Sequence, residues 1–177
     1  MVDDTWIERP KAGEFLPYFG RYIDLVPQGD VLATLRGQGD VVVAALEAIK
    51  PDVARVRPAP GEWSPLDIAV HLADTERVLT FRAFTFARLA GSALPGVDFE
   101  QMADAAGANG RAVETVNGEL RTVRAATIAL FGSLRPDQLR HRGIASDAEV
   151  SVRALAYIVA GHDLHHLSDL KAAAKRS

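Results

Sequence analysis

The chain contains no cysteine. That one absence removes disulfides, thiolate metal ligands and a cysteine nucleophile together, so any thiol chemistry must bring its sulfur from outside. It also agrees with an intracellular life. Dense runs of lysine and arginine are missing too, and the formal net charge is −3. The electrostatic footprint of a nucleic-acid binder is therefore not there, and nucleic acid is not an expected partner. The apolar stretch 154–161 is far short of a membrane span, and residues 1–8 lack the basic-then-apolar plan of a signal peptide. A cytoplasmic protein with no membrane partner is the expectation. Neither the alternating pattern of a sheet nor an internal repeat is found.

What is present suits one domain with a single core: 177 residues, 48% hydrophobic and 24% charged. Residues 1–29 carry Pro10, Gly13, Pro17, Gly20, Pro27 and Gly29, with Trp6, Phe15, Tyr18, Phe19 and Tyr22 between them. They read as an N-terminal arm packed on the rest, with room for a short helix. Residues 30–177 read as four long helices. Asp30 can cap the first, over 31–49, where Leu35, Val42, Leu46 and Ile49 recur at helical spacing and Gly37 and Gly39 weaken the pattern. Ser64-Pro65-Leu66-Asp67 opens the second with a hydroxyl cap, a proline at the first helical position and an acid in the first turn. Ile68, His71, Leu72, Thr75, Val78, Leu79 and Arg82 then share one face out to about residue 90. Residues 91–110 read as a long loop with one short helical turn near 99–106, and loops of this length often border a site. A third helix is predicted over 111–132. Ser151 can cap a last one through about residue 173, with Leu155, Ile158, Val159, His162, His166 and Asp169 on a common face. The predicted fold is all-α, a four-helix bundle.

His162 and His166 stand at i and i+4, so both imidazoles leave one helical face a turn apart and can reach one ion. They interrupt an apolar stripe, where an imidazole without a partner costs on the order of 1–3 kcal/mol. His71 does the same between Ile68 and Leu72. Three inward imidazoles on two helices can build a metal site in a bundle core, or they can be core residues held by hydrogen bonds. Asp74 follows His71 by three residues and Asp169 follows His166 by three, so either acid can orient an imidazole through its other nitrogen or lie solvated on the helix surface. His165 points about 100° away from its neighbours and reads as a rim residue. No role is assigned to His141. A site of three neutral nitrogens leaves coordination positions open to water or substrate. Imidazoles suit zinc, nickel, iron(II) or copper, with zinc or nickel preferred and iron possible.

The runs Pro60-Gly61-Glu62-Trp63-Ser64, His71-Leu72-Ala73-Asp74-Thr75-Glu76-Arg77, Ser151-Val152-Arg153-Ala154-Leu155-Ala156-Tyr157 and Gly161-His162-Asp163-Leu164-His165-His166-Leu167 resemble the DinB-like superfamily, which includes YfiT-type metalloenzymes. Arg9-Pro10, Gly13-Glu14, Tyr18 and Tyr22-Ile23-Asp24-Leu25-Val26-Pro27 extend the likeness over about residues 9–170. The resemblance implies a DinB/YfiT-like four-helix bundle, commonly a homodimer, with one divalent metal ion held by His71, His162 and His166. Glu76 and Arg77 match the family pattern as well, either as a buried ion pair or as residues acting beside the metal. Characterised relatives are thiol-dependent S-transferases that use a low-molecular-weight thiol such as bacillithiol, mycothiol or glutathione. The loop stretch Met102-Ala103-Asp104-Ala105-Ala106-Gly107 departs from any recognition motif and leaves the substrate class open.

Three functions follow as expectations. The first is a metal-dependent S-transferase whose partners are a thiol and a small electrophile. A metal-assisted hydrolase comes second, and a non-catalytic small-molecule or stress-related binding bundle third, because no acid, base or oxyanion donor stands out beside the histidines.

Overall fold

Asp30 has extended backbone, and its carboxylate accepts from the amides of Leu32 and Ala33 at 2.9 and 3.1 Å, which starts α1 (Val31–Glu47). The capping box expected from sequence opens α2 (Pro65–Arg88): Asp67 N–H donates to Ser64 Oγ and Ser64 N–H donates to Asp67 Oδ2, each at 3.0 Å. Ala112 precedes α3 (Val113–Gly132) without a side-chain cap. The Ser151 hydroxyl accepts from the Ala154 amide at 3.1 Å and starts α4 (Val152–Arg176). In this computed structural model, which describes residues 6–177, the predicted helices end within a few residues of where the spacing puts them. The loop turn expected near 99–106 is a helix over Phe99–Ala105.

Packing, not sequence order, sets the layout. α2 lies against α3 and α4, and α1 also lies against α3 and α4, while α1 and α2 scarcely touch. Each of these consecutive pairs, α1 with α2 and α3 with α4, therefore sits across a diagonal, and α2 and α4 share the closest interface in the bundle. That interface is where the histidines meet. Of the arm predicted over 1–29, residues 1–5 lie outside the described residues. The remainder carries a short helix, Gly20–Ile23, against α4. Ile7, Tyr22, Ile23 and Val26 are buried in one apolar cluster with Phe86, Phe131 and Tyr157. Glu14 anchors the arm at the start of α4: it accepts from Arg153 Nε at 2.7 Å and from the Ser151 hydroxyl at 2.8 Å.

The expectation that no sheet would form is corrected. β1 (Ala93–Leu94), β2 (Arg142–Ala145) and β3 (Ala148–Ser151) make a small sheet in which β2 and β3 pair antiparallel and β1 pairs parallel to β2. Strands of two to four residues are too short to show alternation. The hairpin turn also hides its usual signal: Ser146 and Asp147 take φ of 52° and 60°, a conformation for which Asn-Gly is preferred. Among the described residues, no helix is long and apolar enough to cross a membrane.

Candidate metal centre

His71 sits about two turns into α2, on the face that meets α4, and His162 and His166 sit one turn apart on the facing side of α4. The structure brings the three together. His71 Nε2 and His162 Nε2 are 3.1 Å apart, and one nitrogen from each of the three rings lies within 4.8 Å of the others. Two nitrogens on one tetrahedral zinc ion stand about 3.3 Å apart, given bonds of about 2.0–2.1 Å. The facing pair already has nearly that separation.

Burial fixes the protonation of the cluster. It is the main reason that the His71 pKa falls to about 4, and the charge of His166 adds to it. Burial likewise puts His162 well below the ordinary range, helped by repulsion from His166, His71 and His165. His166 is lowered by burial and by His165, against the pull of Asp169. All three are neutral at pH 7, the form that ligates metals. A neutral imidazole carries one N–H, so His71 and His162 can share a hydrogen between their Nε2 atoms, or each can hold it on Nδ1 and turn a lone pair toward the other rings.

The supporting residues differ in part from those expected. Asp169 Oδ2 lies 3.3 Å from His166 Nδ1, so Nδ1–H can donate to it and leave Nε2 free. Asp74 does not serve His71. Its carboxylate accepts from Arg77 at 3.0 Å, a cation being a better partner than a neutral imidazole, and His71 Nδ1 faces Thr75 Oγ1 at 3.4 Å instead. Glu76 is also turned away from the histidines. Arg124 Nε and Nη2 donate to its two oxygens at 2.8 Å, and Nη2 also reaches Asp163 at 2.5 Å. Arg77 is not the partner of Glu76; it is exposed and pairs with Asp74 and Glu119. His165 is half-buried with its ring edge-on to Tyr22, and His141 Nδ1 lies 3.2 Å from the Ala87 carbonyl, remote from the site.

Sequence reasoning passed over three neighbours. The Trp63 ring lies 4.5 Å from that of His71, and Tyr22 meets His162 edge-on at 5.4 Å. Trp63 precedes the α2 cap by one residue, which was a usable signal. Tyr22 depends on a close approach: a Cβ on Gly161 would stand 2.0 Å from the Tyr22 carbonyl oxygen, so only glycine lets the arm lie on α4 there. Arg82, third of the three, was visible as a charge within the buried stripe of α2. From the histidines a cavity of about 410 Å³ opens between α2, α4 and the arm, a size suited to a small ligand.

The sequence model of the DinB superfamily matches residues 34–170, well over half of the chain. The chain belongs to the DinB superfamily. Two solved structures of that kind resemble it. One is YfiT from Bacillus subtilis, described as "a probable metal-dependent hydrolase with an unusual four-helix bundle topology", with a TM-score of 0.75 at 13% identity over 96% of this chain and 93% of that one. The other is the DinB-like protein YjoA from Bacillus subtilis, with a TM-score of 0.60 at 17% identity over 82% of this chain and 90% of that one. Among curated proteins, none matches in sequence. At such identities the likeness establishes the shared bundle fold, and the site must be argued from its own residues.

Proposed function

We propose that this DinB-superfamily protein is a divalent-metal-dependent enzyme acting on small electrophiles, with His71, His162 and His166 as the metal ligands. The observation that carries the proposal is the convergence of three neutral ring nitrogens within 4.8 Å at the head of a ligand-sized cavity. Zinc or nickel suits an all-imidazole set, and iron(II) also fits. Bound there, the ion supplies Lewis acidity that lowers the pKa of a thiol or water reaching it.

The chain's own residues prepare that chemistry. Asp169 holds His166 with Nε2 free, while Trp63 packs on the ring of His71 and narrows access to it. Leu79, Ile158 and Phe99 give the cavity an apolar stretch of wall. The acid on the cavity lining is Glu100, and it is exposed. Each nucleophile forms by losing one proton, but a thiol starts from a pKa of about 8.5 and water from about 15.7, so a thiol asks far less of the ion and of a neighbouring base. A thiol-dependent S-transferase therefore suits a site with no buried carboxylate. The second reading, a metal-assisted hydrolase, is supported by the description of YfiT.

The test loads purified protein with zinc or nickel and offers glutathione, bacillithiol or mycothiol with a panel of electrophiles. Turnover that needs both thiol and metal, and that is lost in His162→Ala, is the expected result. Turnover without thiol moves the assignment to a hydrolase. Turnover that never exceeds that of His162→Ala under either regime ends the enzyme reading.

A further inference from the structure

Three arginines are buried in this protein: Arg82, Arg124 and Arg153. Arg124 is held by Glu76 and Asp163, and Arg153 by Glu14 and Glu8. Arg82 is the exception. It is 5% exposed and has no carboxylate partner among the described residues. Its Nη2 donates to Ser146 Oγ at 3.2 Å and to the Pro95 carbonyl at 3.5 Å, and Nε and Nη1 have no partner among the described residues. Neither of those two atoms is sealed from solvent, and Arg82 is on the lining of the cavity that holds the histidines. A guanidinium stays charged in proteins, and a buried charge without a counter-ion is costly.

Its position gives that cost a use. Arg82 follows His71 by eleven residues on α2, three turns along the same face and about 16 Å by helix rise, and helical side chains slant back toward the N-terminus. Arg82 and the three histidines line the same cavity, with apolar Leu79 and Ile158 also on its wall. Glu100, the acid on that lining, is exposed, and the hydrogen-bond partners of Arg82 among the described residues are the Ser146 hydroxyl and the Pro95 carbonyl. Ser146 holds the guanidinium from the hairpin tip, where its φ of 52° is a conformation side chains rarely adopt.

We propose that Arg82 is an anion-recognition residue and that the cavity takes extended organic carboxylates, with a carboxylate oxygen on an open N–H of Arg82, an apolar middle against Leu79 and Ile158, and the reacting end at the histidines. A single guanidinium carries one positive charge, which one carboxylate balances, whereas a doubly charged phosphate would leave a charge over in this cavity. The inference rests on the reading of this cavity as the functional site, and it names the substrate class for it.

Calorimetric titration of the metal-stripped full chain tests this with 4-phenylbutyrate and its neutral analogue 4-phenylbutyramide. Without metal the acid has no ion to bind, so a preference reports on Arg82. The acid should bind at least tenfold tighter than the amide. Arg82→Met should abolish that preference and Arg82→Lys keep part of it. Equal binding of the two, binding of neither, or a preference that survives in a folded Arg82→Met protein overturns the proposal. If Arg82→Met does not fold, the acid-to-amide ratio of the unaltered chain and of Arg82→Lys decides. A parallel zinc titration separates the two readings: tight zinc with no preference for the acid removes only the carboxylate site, and a preference for the acid without zinc binding removes only the metal.

Discussion

His162 and Asp163 are adjacent on α4, yet they enter two buried polar clusters of opposite character. Asp163 joins Glu76 around Arg124, which also donates to the Leu35 carbonyl at 2.9 Å, so each charge in that cluster has an opposite partner at hydrogen-bond distance. His162 joins His71 and His166, where like neutral groups face each other: Nε2 of His71 and of His162 are 3.1 Å apart, and one nitrogen of each ring lies within 4.8 Å of the others. A buried network of opposite charges fixes a core, and a buried cluster of neutral imidazoles is a place for a cation to bind. The difference lies in partner chemistry, since both clusters are buried.

Removing the cation from the satisfied cluster should have the largest effect. Arg124→Met leaves Glu76 and Asp163 as two buried acids without a counter-charge and should cost about 3–5 kcal/mol in urea unfolding, with or without metal. His162→Gln should cost far less in the metal-free protein. If the two variants lose equal stability there, the contrast between the clusters fails.

Acid should distinguish them next. Burial alone would raise the pKa of Glu14, but hydrogen bonds from Arg153, the Lys11 amide and Ser151, with the Arg153 charge, outweigh it and hold the value at about 2 against an ordinary 4.5. The unfolded chain binds this proton first, so stability present above pH 4.5 is lost as pH falls toward 2, on the order of 3 kcal/mol. For His71, at about 4 against an ordinary 6.5, the metal-free protein loses stability in an earlier window, as pH falls from 6.5 to 4. Two separate declines should therefore appear in metal-free urea unfolding followed against pH. Glu14→Gln should lessen only the lower one, and His71→Gln only the upper, whose remainder belongs to His162 and His166.

Metal should act on one cluster alone. At a free zinc concentration 100 times Kd, the stabilisation is about 2.7 kcal/mol. It should be read as a rise in Tm that vanishes in His71→Gln and His166→Ala and persists in Asp163→Asn, measured relative to each variant's own metal-free Tm.

Why one cluster was legible in the sequence and the other was not follows from their spacing. His162 and His166 are a local pair, and His71 breaks a periodic stripe, so helix geometry alone put all three on inward faces. The caps at Asp30, Ser64 and Ser151 were legible for the same reason, each acting within three residues of itself. Arg124 lies 48 residues from Glu76 and 39 from Asp163, and no periodicity predicts which acid a distant arginine will meet. The diagonal placement of α1 and α2 depends on tertiary packing, and the hairpin turn at Ser146-Asp147 lacks the glycine of the usual Asn-Gly or Asp-Gly signal.

The smallest effect sets two surface acids against each other. Asp74 and Asp169 both follow a candidate ligand by three residues, and spacing alone makes them equivalent. The geometry does not: Asp169 reaches His166 Nδ1 at 3.3 Å, whereas Asp74 is engaged by Arg77. A carboxylate that orients a ligating imidazole typically changes metal affinity by 10–100-fold. With its side chain 53% exposed, Asp169 should lie at the lower end. Asp169→Asn is thus expected to weaken zinc binding about tenfold, roughly 1.4 kcal/mol, and Asp74→Asn to leave it unchanged within error. Competition against a chelator of known affinity reads both. Equal losses in the two variants mean that net charge near the site is at work, since an orienting hydrogen bond requires only Asp169 to matter.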